Sequence, residues 1–99
     1  MKTHNEQNES RPEHVRLERY EDFFDPSHTV LDLAAAVTGS YTLLSRHIWR
    51  KRLYALGEEP FREILFLFWS DLKAGESVRS RARALTARLN KAVSSLGNP

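Results

Sequence analysis

The chain has 99 residues, 40% hydrophobic and 28% charged, with no cysteine and a formal net charge of +2. That is the length and composition of one ordinary globular domain; it excludes a disulfide framework, a thiolate metal site and a cysteine nucleophile. The small net charge hides a division: residues 1–40 carry four Lys/Arg against eight Asp/Glu, and residues 41–99 carry eleven against five.

Residues 1–10 hold no apolar side chain after Met1 and are expected to form a flexible polar tail. They lack the apolar core of a secretory signal, and the longest apolar run, residues 64–69, is far shorter than a membrane span. The expectation is a cytoplasmic protein with no membrane partner. Residues 11–96 read as a single all-α domain, a compact bundle of about five short helices.

The first helix is expected over about 11–24. Ser10 and Glu13 have capping-box spacing, Pro12 suits a first turn, and Val15, Leu17, Tyr20 and Phe24 form a loose stripe. The second opens at Asp25 and Pro26, has Val30 to Val37 as its alanine-rich body, and stops at Gly39. Small alanine faces let a neighbouring helix approach closely. The third, capped by Ser40, spans about 41–56 and ends at Gly57; Tyr41, Leu44, Ile48, Arg52 and Leu53 fall near one face with Leu43 beside them. Arg46, Arg50, Lys51 and Arg52 crowd its C-terminal half, where cations favour the helix dipole, and no acid occurs between Tyr41 and Gly57.

The fourth helix, about 60–74, starts at Pro60 and stops at Gly75. Residues 64–69 are apolar on every side, which places such a helix centrally in a core or at a partner interface. Ser77 is expected to cap the fifth helix, about 77–94. Val78, Ala82, Leu85, Leu89, Val93 and Leu96 make a clean amphipathic stripe, and Arg79, Arg81, Arg83, Arg88 and Lys91 occupy the rest with no acid after Glu76. Arg79 and Arg83 have the spacing of one face, and Arg81 and Arg88 that of another.

Little in the chain suggests catalysis. His14 with Glu18, and His28 with Asp32, are four residues apart, but two ligands do not make a metal site. Serines sit at helix starts and in the C-terminal tail, the glycines are single rather than clustered in a phosphate loop, and the acid pairs Glu21-Asp22 and Glu58-Glu59 are sequence neighbours. The expectation is a non-enzymatic protein with no cofactor and no bound metal.

Leu33-Ala34 and Val37, then Gly39, then Leu44 and Ile48, follow the pattern of apolar anchors and turn glycine in a two-helix unit. Residues 31–52 thereby resemble helix-turn-helix DNA-binding proteins, whose second helix enters the major groove. The resemblance implies that Thr42, Ser45, Arg46, Trp49 and Arg50 face DNA. It is out of register by about one residue at the turn, where Ser40 stands in place of an apolar residue.

The leading expectation is a small helical module that binds nucleic acid through basic helices 41–56 and 77–94, as an accessory to replication or transcription. Its contact residues are Thr42, Ser45, Arg46, Trp49, Arg50, Lys51, Arg79, Arg81, Arg83 and Arg88. The alternative is a protein-interaction module or homodimer that uses the aromatic helix 60–74, to which Phe23 and Phe24 add.

Overall fold

A computed structural model of the protein describes residues 15–96. They form a 3₁₀ helix, Tyr20–Phe24, and four α-helices: α1 (Val30–Thr38), α2 (Leu43–Leu56), α3 (Glu58–Lys73) and α4 (Arg81–Leu96). The all-α class is as expected; the fifth expected helix, the first in the chain, is replaced by the 3₁₀ turn. There the Asp22 carboxylate accepts the backbone N–H groups of Glu18 at 2.7 Å and Arg19 at 3.0 Å. Such side-chain acceptance competes with the helical ladder and favours a turn. The cap assigned to Ser10, Pro12 and Glu13 lies outside the described residues.

The other boundaries shift by a few residues, for local reasons. Asp25 forms a turn of its own by accepting the Ser27 N–H at 2.9 Å, and Thr29 caps α1 instead, accepting Asp32 N–H at 3.1 Å. Gly39 ends α1 in the left-handed region (φ 76°), a conformation that glycine adopts without the Cβ penalty. Thr42, not Ser40, caps α2, taking Ser45 N–H at 3.1 Å. Helix α3 begins at Glu58 and carries Glu58 and Glu59 in its first turn, where acids suit the dipole. Helix α4 begins at Arg81, after Ser80 Oγ accepts Arg83 N–H at 3.2 Å.

The core is built from Phe23, Leu33, Trp49, Phe61, Leu65, Phe68, Leu85 and Leu89, all fully buried, with Val30, Ala34 and Val37 from α1. Trp49 sets the azimuth of α2. Because it points inward, Leu53 and Leu56 follow it at helical spacing, and Leu44, expected on the inner face, is turned outward. Helix α3 is central: it packs on the 3₁₀ segment and on all three other α-helices. No helix among the described residues is long and apolar enough to cross a membrane.

One charged side chain lies within this core. Arg62, only 5% exposed, donates Nη1 to the Phe23 carbonyl at 2.8 Å and Nη2 to the His28 carbonyl at 2.9 Å, and pairs with Glu58 at 2.8 Å. The backbone leading into α1 thus has its carbonyl groups satisfied by α3. Arg62→Ala is expected to lower unfolding free energy by about 3 kcal/mol in urea denaturation, because it orphans buried carbonyls that bonded to a charged donor.

A pH dependence follows from the same segment. Backbone donation holds the Asp22 carboxyl below its ordinary value of 3.8, and the Ser27 N–H and hydroxyl do the same for Asp25. With the folded values depressed, this stabilisation is full above that ordinary value and is lost as pH falls through the folded values. Protection factors of the Phe23 and Phe24 amides are expected to fall below pH 3.8 before those of the Leu85 and Leu89 amides. An equal loss of protection at both places would sink this local account.

Candidate functional site

The two basic helices lie side by side. Trp49 Nε1 donates to Thr86 Oγ1 at 3.0 Å, and Arg52 Nε donates to Asn90 Oδ1 at 2.8 Å. Each bond joins a residue of α2 to one 37 or 38 positions later in α4, so the helices run parallel. Thr86 also donates back to the Ala82 carbonyl at 2.9 Å, which leaves its oxygen free to accept from the indole. The buried Trp49 nitrogen is thereby satisfied, as a core indole must be.

Outside this contact, a seam follows the two helices. At its N-terminal end a groove of about 470 Å³ is lined by Leu44, Ser45 and Ile48 of α2 and by Arg83, Ala87 and Asn90 of α4. At its C-terminal end a second groove of about 290 Å³ is lined by Lys51, Arg52, Ala55, Val93 and Ser94. No acidic side chain lines either groove. Arg50 and Lys91 are exposed on α2 and α4 but line neither groove.

The cations of the basic half fall into two sets. Arg46 pairs with Asp32 of α1 at 2.8 Å. Arg88 pairs with Asp71 at 2.6 Å and Glu76 at 3.4 Å, and its guanidinium lies 5.0 Å from the centre of the Phe68 ring. These two arginines tie α2 to α1 and α4 to α3. By contrast Arg50, Lys51, Arg79, Arg81, Arg83 and Lys91 form no ion pair among the described residues.

The candidate residues read from sequence divide accordingly. Lys51 and Arg83 line the seam, one at each end, while Arg50 is exposed on the outer side of α2. Arg81 is exposed but lines a different cavity, with Val37, Trp69 and Lys73. Arg79 is exposed ahead of α4, so its helical pairing with Arg83 does not apply. Thr42 and Ser45 engage each other at the α2 cap, and Ser45 Oγ lies 2.7 Å from Ser40 Oγ. Arg46 and Arg88 are drawn into ion pairs. Trp49 is the clear correction: it is fully buried, because the indole is the largest side chain at the centre of the core, and it offers no surface for a base.

Sequence reasoning missed the outward stripe of α2. Leu43, Leu44 and Tyr54 are 79%, 69% and 81% exposed, and His47, Arg50 and Lys51 are exposed among them. The spacing of residues 43, 47, 50 and 54 was the available signal. The aromatic surplus of α3, meanwhile, is covered. Phe66 meets Tyr20 at 4.9 Å and Phe23 at 5.6 Å between ring centres, and Trp69 meets Phe23 at 5.2 Å.

No group of three or more potential metal ligands occurs among the described residues; His14 lies outside them. No protein-family model, curated protein or solved structure matches the chain. Trp49→Ala is expected to cost about 3–5 kcal/mol of stability, and Arg50→Ala no more than about 0.5 kcal/mol, measured by equilibrium denaturation. A mild Trp49→Ala would mean that the indole is not the pivot of α2.

Proposed function

We propose that this protein is a non-enzymatic nucleic-acid-binding module whose contact surface is the α2–α4 seam. One observation carries the reading: Lys51 and Arg83, from separate parts of the chain and without an ion pair among the described residues, line a seam that has no acid in its lining. Cations arranged in this way neutralise phosphates and release condensed counterions, which yields affinity with a steep salt dependence. An accessory role in replication or transcription is compatible with such binding.

The mode is chiefly contact with the sugar-phosphate backbone. Of the residues that a helix-turn-helix unit would use to read bases, Thr42 and Ser45 are engaged at the helix cap, Arg46 is held by Asp32, and Trp49 is in the core. Arg50, with its neighbour Lys51, remains available. Phosphate contacts position a protein without conveying sequence, so discrimination between sequences is expected to be weak.

A gel-shift or anisotropy titration over a salt series tests this reading. Binding is expected at low salt, with log K falling linearly against log salt. Arg50→Glu with Lys51→Glu and Arg83→Glu should abolish it. Each contact removed singly by Ala is expected to reduce the slope by about 0.9 on duplex DNA. Lys73→Glu, outside the seam, should leave the slope unchanged. No shift at low salt with either duplex or single-stranded probes would remove the proposal.

A further inference from the structure

Six large apolar side chains are exposed among the described residues: Tyr20, Leu43, Leu44, Tyr54, Leu67 and Leu96. Five of them form two patches of opposite charge. Leu43, Leu44 and Tyr54 share the outer stripe of α2 with His47, Arg50 and Lys51, and the segment holds no acid. Leu67 and Tyr20 share the outer side of α3 with Glu59 and Glu63. The latter three α3 positions, 59, 63 and 67, are successive at four-residue spacing and all exposed. Tyr20 is tied into this patch by donating its hydroxyl to Glu63 at 3.2 Å and by its edge contact with Phe66. Neither Glu59 nor Glu63 is in an ion pair among the described residues.

We propose that these patches are the two halves of one self-recognition surface, through which the α2 stripe of one copy of the chain docks on the Tyr20/α3 patch of another. Charge dictates the pairing. Two α2 stripes facing each other would oppose like charges, as would two α3 patches, and such juxtaposition is costly. The unlike pair brings Arg50 and Lys51 to Glu59 and Glu63 while covering leucine and tyrosine on both sides.

The order of residues sets the direction. On α2 the leucines precede the cations by about seven residues, or roughly 10 Å along the axis; on α3 the acids precede Leu67 by four to eight residues, or roughly 6–12 Å. The two stripes therefore match when the helices cross antiparallel, with Leu67 over Leu43 and Leu44. Because unlike surfaces meet, the contact is heterologous: it either closes on itself or adds copy after copy. It also uses Arg50 and Lys51, so nucleic acid and a second copy compete for α2, while Glu59 and Glu63 serve self-association alone.

Sedimentation velocity on nuclease-treated full-length chain, over a protein and salt series, tests this. The wild-type mass should rise above 11.5 kDa with concentration at low salt and return to it at high salt. Arg50→Glu with Lys51→Glu, and separately Glu59→Lys with Glu63→Lys, should each weaken association at least about tenfold, the order of one to two lost charge pairs. All four positions are exposed, and unchanged circular dichroism verifies folding. The decisive sample is an equimolar mixture of the two charge-reversed proteins. Each then supplies the charge that the other lacks, and association should reappear. Glu59→Lys with Glu63→Lys should retain nucleic-acid binding, which separates this proposal from the seam. A wild type that stays monomeric at low salt, or a mixture that stays monomeric, would falsify the proposal.

Discussion

The buried guanidinium of Arg62 is the interaction on which the front half of this structure depends. The segment before α1 is too short and too polar to fold on its own, and its backbone carbonyls at Phe23 and His28 turn toward the interior. Buried carbonyls need donors, and a planar group with several N–H donors supplies two of these contacts at once. With the charge balanced by Glu58, Phe23 is held against Phe66 and Trp69. The aromatic side of α3 is closed as a result. Had the segment remained loose, α3 would have presented the broad aromatic surface that its composition suggests.

The second half is organised by the indole of Trp49. Its bond to Thr86 and the parallel bond from Arg52 to Asn90 place α2 and α4 side by side with a common direction. Parallel packing puts both basic helices on one flank of the molecule. It also decides which cations are consumed. Those that meet α1 and α3 find Asp32, Asp71 and Glu76; those on the seam meet each other's helix, which has no acid to offer. Within the basic half the charges separate in space: Arg50, Lys51, Arg83 and Lys91 are outward on α2 and α4 and Glu59 and Glu63 outward on α3, none of them in an ion pair among the described residues.

Two functional consequences arise from that separation. Cations without an ion pair among the described residues suit the polyanion proposed above, and weak discrimination between sequences would follow from the engagement of the polar groups a reading helix would need. A basic apolar stripe on α2 and an acidic apolar patch on α3 are complementary, which would link the proposed nucleic-acid binding and the proposed self-association through shared arginine and lysine side chains. Neither groove has an acid in its lining.

Composition and periodicity were enough to determine an all-helical chain, the approximate positions of α1 to α4, the glycine stops at Gly39 and Gly57, and the charge division, because each of these depends on residues close together in sequence. The azimuth of α2 was not fully legible: Ile48 and Leu53 both pack on the core, and either Leu44 or Trp49 could share that side; only the volume of the core, which a tryptophan fills and a leucine does not, decides between them. The role of Arg62 was hidden for the same reason: its partners lie 34 to 39 positions away, and a charged residue on a helix reads as solvent-facing until a tertiary contact gives it carbonyls to bond. Which cations are free is likewise a property of the fold, because an arginine's charge is written in the chain but its counterion is chosen by whichever helix packs beside it.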